Sequence, residues 1–185
     1  MQNNNSIKHI LFYLIVCLSL VSSNSLMAQT KTWTGASDTN WANASNWSPV
    51  GIPTDTDDVT IPDTANNPTI ENGTIVTINS LQNDKFSVLT IQPTAELNVL
   101  EIASTTITNR GEIDNAGKIY IGQATPINNT AIENAGFNTI FTNQATGKIQ
   151  IYKGSSNTGG VSGIINNSAA KFINKGLLEM QGDGS

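Results

Sequence analysis

The sequence predicts an all-β fold in which successive coils of the chain stack into a β-solenoid. Three segments of the second half repeat one pattern around a glycine, namely Gly117, Gly147 and Gly176. These glycines stand 30 and 29 residues apart, and a period of roughly 20 to 50 residues is typical of stacked supersecondary units. Apolar and polar residues alternate after each glycine, as in a strand with one buried face. We therefore expect Ile119, Ile149 and Leu177 to share one hydrophobic cluster.

The composition also favours short strands over helices. From Lys31 onward the chain has 19 Ile against 6 Leu, together with 20 Asn. β-Branched residues favour strands, and Asn and Gly favour the tight turns between them. Charged residues make up 12% of the chain, about half of the ~25% usual in globular domains. Such a surface is polar without being ionic, as in many extracellular β-proteins.

The first 28 residues have the layout of a secretory signal peptide. Lys8 and His9 are followed by an uncharged apolar run over residues 10–21. This run reaches only ~18 Å as a helix, short of the ~30 Å hydrocarbon core, so we expect no transmembrane segment after cleavage. Cleavage after Ala28 is expected, with Ser25 as the alternative. The protein is then secreted, extracellular or on the bacterial outer surface.

Cleavage would change the chemistry open to the chain. Cys17 and His9 are its single cysteine and single histidine, so the mature protein would have neither. Disulfides, thiol nucleophiles, Ser-His-Asp triads and zinc sites built on His or Cys are then excluded. We expect no cofactor and no metal.

The charge balance argues against nucleic acid as a partner. The chain has 14 acidic against 9 basic residues and a net charge of −5, which becomes −6 without Lys8. The acidic residues are dispersed, and nucleic-acid binding depends on a basic surface.

We divide the chain into a signal peptide (residues 1–28), a tryptophan-rich N-terminal cap (29–68) and solenoid coils (69–185). The cap contains every tryptophan of the chain, Trp33, Trp41 and Trp47. The coils would number roughly four, at ~4.8 Å each, and one coil cannot bury its apolar face alone. Further C-terminal coils or an end-to-end partner are therefore expected to cover the last one.

The cap carries three short elements in order, Trp33-Thr34-Gly35, Asn46-Trp47 and Asp57-Asp58-Val59-Thr60-Ile61-Pro62. This order resembles the N-terminal segment of large bacterial surface proteins, adhesin-like or autotransporter-like, many of which use the type IX secretion route. Residues 89–99 and 108–113 are similar to their coil sequences. The resemblance implies a right-handed parallel β-helix with a structural role, and a partner among extracellular glycans or host and matrix surfaces.

Asparagines precede glycines at five positions with the character of turns. The asparagines are Asn109, Asn115, Asn134, Asn143 and Asn174, and the glycines are Gly111, Gly117, Gly136, Gly147 and Gly176. Asn tolerates left-handed backbone, and its amide can bond to the coils above and below. We interpret these pairs as structural turns with an amide ladder.

Two interpretations of Trp33, Trp41 and Trp47 are open at this point. Their flat faces can stack on pyranose rings and so contact a glycan, or they can form the core of the cap. Two interpretations are also open for the carboxylates Asp55, Asp57 and Asp58, which either bind calcium or cap the entry to a strand.

Three functions are compatible with these features. The chain is expected to be a passive extracellular scaffold, with a carbohydrate-binding module as the first alternative. The second alternative is a polysaccharide-degrading β-helix enzyme, which would act through carboxylates such as Glu112 and Asp114 beside Arg110. No equivalent residues recur on the following coils, so we expect no enzyme and assign no catalytic residue.

Overall fold

The structure is a computed structural model that describes residues 29–100, 104–123, 127, 129–153 and 163–182. The predicted signal peptide, with Cys17 and His9, lies outside the described residues.

Short strands follow one another in threes and form three parallel sheets along a common axis. Each strand pairs with its counterparts one coil earlier and one coil later. The first sheet contains β1 (Thr30–Trp33), β3 (Asp58–Ile61), β6 (Ser80–Asn83), β9 (Ile107–Asn109), β12 (Ile132–Ala135) and β15 (Ile164–Asn167), with β2 (Trp47–Ser48) antiparallel at its end. The second contains β4 (Thr69–Ile70), β7 (Val88–Ile91), β10 (Glu112–Asn115), β13 (Ile140–Asn143) and β16 (Lys171–Asn174). The third contains β5 (Ile75–Ile78), β8 (Glu96–Val99), β11 (Lys118–Ile121), β14 (Lys148–Lys153) and β17 (Leu177–Gly182).

This architecture confirms the prediction of an all-β solenoid, with about five turns. Sequence analysis expected roughly four coils from residue 69 onward. The structure has one more because β3, which lies within residues 29–68, pairs in parallel with β6 from Asp58↔Ser80 to Ile61↔Asn83. The first turn therefore contains β3, β4 and β5.

Inward-facing side chains stack directly on one another from coil to coil. One such column in the first sheet runs through Val59, Leu81, Ile107 and Ile132. One in the third sheet runs through Val76, Leu97, Ile119, Ile149 and Leu178. Fully covering such a side chain stabilises the fold by about 1.5 to 3 kcal/mol, and these columns form one continuous hydrophobic core.

The position expected for Leu177 was wrong by one residue. Ile119 pairs with Ile149, and Ile149 pairs with Leu178, which packs against the core. Leu177 pairs with Lys148 and is 49% exposed. The buried residue is the second after each glycine, and a slip of one residue moves a side chain to the opposite face of a strand.

The N-terminal segment closes one end of the first sheet. Strand β1 lies between β3, its parallel neighbour, and β2, its antiparallel neighbour. A 3₁₀ turn at Ala44–Asn46 leads into β2, and an isolated bridge between Asn40 and Thr69 joins this segment to the start of the second sheet. No helix among the described residues has the length and apolar character needed to cross a membrane.

The last described coil is the least covered. Its inward-facing residues Ile164, Phe172 and Leu178 are only partly buried, and Met180, which pairs with Ile151, is 50% exposed. Among the described strands, β15, β16 and β17 each have a pairing neighbour on one side only. This end of the solenoid therefore presents both apolar side chains and three open strand edges.

We expect Gly147→Ala to destabilise the protein, because the coils leave no room for the added methyl group. A Cβ there would lie 2.3 Å from Asn143 Oδ1 and 2.4 Å from the carbonyl oxygen of Asn115. Overpacking of this kind costs about 1 to 3 kcal/mol, measurable as a loss in the free energy of unfolding in denaturant. Gly182→Ala is the control, since nothing lies within 4 Å of its Cβ. Equal stabilities of the two variants would contradict this packing.

Candidate functional site

Seven asparagines form two hydrogen-bonded ladders inside the solenoid. The first ladder contains Asn83, Asn109, Asn134 and Asn166, and the second contains Asn115, Asn143 and Asn174. In each ladder the side-chain Nδ2 of one asparagine donates to the Oδ1 of the asparagine on the following coil, at 2.7 to 2.8 Å. Successive coils are thus joined by side chains as well as by backbone pairing.

Five of the seven ladder amides also donate to a backbone carbonyl across a corner of the solenoid. Nδ2 of Asn109 also donates to the carbonyl of Ile140 at 3.2 Å, and that of Asn134 donates to the carbonyl of Lys171 at 2.9 Å. Nδ2 of Asn143 donates in the same way to the carbonyl of Leu177 at 3.1 Å. Asn109, Asn134 and Asn143 are fully buried, so these bonds satisfy amides that no solvent reaches.

All five predicted asparagines belong to these ladders, but not on left-handed backbone. Four of them end a strand and Asn134 is the last but one residue of β12. Among described non-glycine residues, positive φ occurs at Phe86, Asn138, Ser168 and Ala169. The amides therefore reach the neighbouring coils from extended strands, and left-handed backbone plays no part at these five positions.

Sequence analysis missed two ladder members, Asn83 and Asn166. Neither has a glycine in the corner that follows it. The four residues after Asn83 and the four after Asn166 contain no glycine. The signal that identifies Asn83 is its place in the alternation, two residues after the buried Leu81.

Four of the predicted glycines lie where one coil rests on the coil before it. A Cβ added at any of these four glycines would lie 2.2 to 2.4 Å from an oxygen atom, either a backbone carbonyl of the coil beneath or the side-chain oxygen of a ladder asparagine. The four are Gly111, Gly117, Gly147 and Gly176. Gly136 differs, because it has a φ of +125° and its nearest neighbour would be Thr139 Oγ1 at 3.0 Å. Four of the glycines are needed because the neighbouring coil leaves no room for a Cβ, and the fifth is needed because its backbone has a positive φ.

The three tryptophans form a compact buried cluster. Trp33, Trp41 and Trp47 are at most 1% exposed. Trp47 meets the other two edge-to-face, with ring centroids 5.0 Å and 4.7 Å apart. Nε1 of Trp33 donates to the carbonyl of Asn66 at 2.7 Å and Nε1 of Trp47 donates to the carbonyl of Trp41 at 2.9 Å. Nε1 of Trp41 is buried without a hydrogen-bond partner among the described residues. A glycan cannot stack on these faces, so the contact role weighed for them is corrected to a core role.

The loop beside this cluster is held by one carboxylate, Asp38. Asn43 and Asn46 donate to it at 2.8 and 2.7 Å, and the backbone N–H of Asn40 donates at 2.9 Å. These bonds, that from Asn43 first, lower the pKa of Asp38 below its usual value. A carboxylate with a lowered pKa stabilises the folded state above its unfolded pKa, and that contribution is lost as the pH falls through the folded value.

The carboxylates considered for calcium are engaged in backbone and side-chain bonds. Asp57 accepts from the N–H and the hydroxyl of Thr54 at 2.8 and 2.9 Å. Asp58 accepts from Asn79 at 2.7 Å and from Ser80 at 2.6 Å. Among the described residues, no group of three or more His, Cys, Asp or Glu side chains is placed to hold a metal ion. These bonds support the strand-entry interpretation.

An ion pair joins the outer faces of two coils of the third sheet. Lys148 Nζ lies 3.1 Å from the Glu179 carboxylate and 5.7 Å from the centroid of the Tyr120 ring. The hydrogen bond that Lys148 donates to the Glu179 carboxylate raises the pKa of Lys148 above its usual value. All three side chains are on the surface, where such pairs contribute little.

The corners between the first and second sheets form a trough that sequence analysis did not foresee. We call it the corner trough and define it by Lys85, Phe86, Arg110, Phe137 and Lys171. A cavity of about 220 Å³ lies between Phe86, Arg110 and Phe137, and a second of about 450 Å³ extends from Phe137 to Lys171. Phe137 lines both cavities, so they adjoin along the solenoid axis.

Two observations single out the phenylalanines of the trough. Phe86 and Phe137 are 65% and 73% exposed, although aromatic side chains are usually buried. Phe86 also has a φ of 71°, a left-handed conformation that costs an L-residue roughly 1 to 2 kcal/mol. A bulky residue in this region is an outlier, and such strain clusters at binding sites.

These stacked sheets and ladders define a parallel β-solenoid protein. A family model described as "Domain of unknown function (DUF8693)" matches residues 32–173, more than half of the 185 residues. The chain belongs to this family. Neither a curated protein nor a solved structure matches it.

We expect Asn109→Ala to cost about 2 to 4 kcal/mol of unfolding free energy, because it leaves several buried polar groups unpaired. Asn109 accepts from Asn83 and Gly111 and donates to Asn134 and Ile140. Asn174→Ala is the matched control and should cost less than about 1 kcal/mol. It removes one acceptor at the exposed end, where the amide of Asn143 keeps its bond to Leu177. Similar losses in chemical denaturation would contradict an energetic role for the buried ladder.

Proposed function

We propose that this chain is a secreted or cell-surface structural β-solenoid that serves as an adhesin-like scaffold. One observation carries the proposal: apolar columns and asparagine ladders run from coil to coil along the solenoid. The interior is packed by its own side chains, so function belongs to the outer surface and to the length of the stack. Such an object is suited to hold and display other groups.

The resemblance to adhesin-like surface proteins and the signal-peptide layout support export. The surface is mostly polar and uncharged, since charged residues make up 12% of the chain. A rigid polar stalk keeps its structure outside the cell without disulfides when its backbone bonds are protected in stacked sheets. A non-enzymatic role is part of the same proposal and rests on the sequence argument given above.

Export predicts a specific mature N-terminus. When the chain is expressed with its own first 28 residues in a bacterial host, we expect the exported protein to begin at Gln29, by intact mass and N-terminal sequencing. Leu14→Arg is the control, because a charge in the apolar run of a signal peptide blocks export. Finding the unaltered chain cleaved at neither Ala28 nor Ser25 and retained in the cytoplasm would refute secretion. Resistance of the exported protein to proteinase K, lost in Asn109→Ala, is expected of a scaffold.

We also propose that two copies meet end to end through the last described coil. Its three open strand edges are able to pair with the backbone of another coil, and its partly exposed apolar residues need cover. Two copies that meet through this same end would be related by a two-fold axis, and each would contribute the same surface to the contact. Further C-terminal coils of a longer polypeptide would cover the same edge, which is the other prediction made from the sequence.

Sedimentation equilibrium tests the end-to-end contact. We expect a concentration-dependent dimer, weakened at least tenfold by Met180→Lys, because that side chain lies in the inward column above Ile151. Leu177→Lys is matched in exposure, 49% against 50%, but Leu177 lies on the outward face and should leave the dimer unchanged. A monomer at all concentrations, or equal effects of the two variants, would refute the contact.

A further inference from the structure

The corner trough contains two aromatic rings spaced along the solenoid. Phe86 follows β6 and Phe137 follows β12, two coils later. Two strand steps separate their corners by ~10 Å. Both rings are largely exposed, and the first cavity lies between them. The two rings therefore border one cavity and are not isolated apolar residues on the surface.

The corner between β9 and β10, which lies between the corners of Phe86 and Phe137, is shorter than those two corners. Four residues connect β6 to β7 and four connect β12 to β13, whereas only Arg110 and Gly111 connect β9 to β10. Gly111 rests on the coil beneath, where a Cβ would lie 2.3 Å from the carbonyl oxygen of Ser87. This short corner places the exposed Arg110 on the coil between those of Phe86 and Phe137, where it lines the first cavity.

The trough is basic on a protein that is acidic overall. Lys85 and Arg110 line the first cavity and Lys171 lines the second, with Glu112 as the one carboxylate among the residues that line them. The chain as a whole carries a net charge of −5. Among the described residues no ion pair engages Arg110, and the Lys85 ammonium lies 4.6 Å from the Phe86 ring centroid. The trough thus combines apolar faces with cations suited to carboxylates.

We propose that the corner trough binds a linear polysaccharide that carries carboxylates. A uronic acid unit has an apolar C–H face for a phenylalanine ring and, on the same unit, a carboxylate for the planar fork of Arg110. The second cavity, with Lys171, continues the trough along the axis, as a polymer requires. An anionic membrane is a poorer match, because it binds clusters of four to eight cations, and an acidic peptide offers no rigid apolar ring.

The binding test uses the purified protein and hyaluronan, whose repeat alternates a uronate with a neutral sugar. Calorimetric titration should show binding that weakens as salt is raised, and little or none to carboxyl-reduced hyaluronan. Polyglutamate of equal charge should bind at least tenfold more weakly. Binding polyglutamate as tightly as hyaluronan would make the trough an acidic-polypeptide site and overturn the proposal. Failure to bind both hyaluronan and a second polyuronate, alginate, would overturn it too.

Four variants test whether hyaluronan binds at the trough or is held by surface charge in general. Phe86→Asn and Arg110→Gln should each weaken hyaluronan binding at least tenfold, while Glu112→Gln should strengthen it by removing a repulsive carboxylate. Lys118→Gln is the charge-matched control on the third sheet and should leave affinity unchanged. Asn tolerates positive φ, so Phe86→Asn should keep the melting temperature at or above that of the parent. Unchanged affinity in Phe86→Asn and Arg110→Gln would refute the assignment.

Discussion

The hydrogen bond between asparagine amides on successive coils is the interaction on which the rest of the structure depends. A buried amide without a partner is costly, and Asn109 and Asn134 find theirs only when the coils stack in one register. Apolar columns alone tolerate exchange among Ile, Leu and Val, as from Val59 to Leu81. The ladders therefore supply specificity, while the columns supply most of the burial. This division agrees with the expectation that satisfied polar networks in a core select one arrangement.

The ladders occupy the same inward positions that isoleucines occupy nearer the cap. Ile61 pairs with Asn83 in the first sheet, and Ile91 pairs with Asn115 in the second. The change from apolar to amide adds a bond across the corner, because the amide reaches a backbone carbonyl beyond it, as from Asn109 to Ile140. Close corners also need the glycines, such as Gly111, that rest on the coil beneath. At Asn109 and Gly111 the amide bonds across the corner while the glycine lets the chain pass close to the coil beneath.

Sequence alone predicted the fold because the stacking is periodic. Alternation after Gly117 and Gly147 located β11 and β14, and the same count from Gly176 leads to Leu178 rather than Leu177. The inward role of the asparagines was harder to foresee, because Asn is also a common turn residue. The corner trough gave no sequence signal that local patterns capture. Phe86 and Phe137 stand 51 residues apart, and only the stacking of coils brings them to one opening.

The interior of such a solenoid has little freedom to evolve a site, since each inward position must match the coils on both sides. The corners have that freedom, because a change in corner length leaves the strand register intact. Corners of four, two and four residues place two exposed aromatic rings on the coils before and after that of Arg110. The two four-residue corners share one turn geometry, since Phe86 and Asn138 are the third residues of their corners and have φ of 71° and 65°. Phenylalanine is an unusual residue for that turn position, and its ring is exposed, which makes the outer corners the part of this scaffold where binding is to be sought.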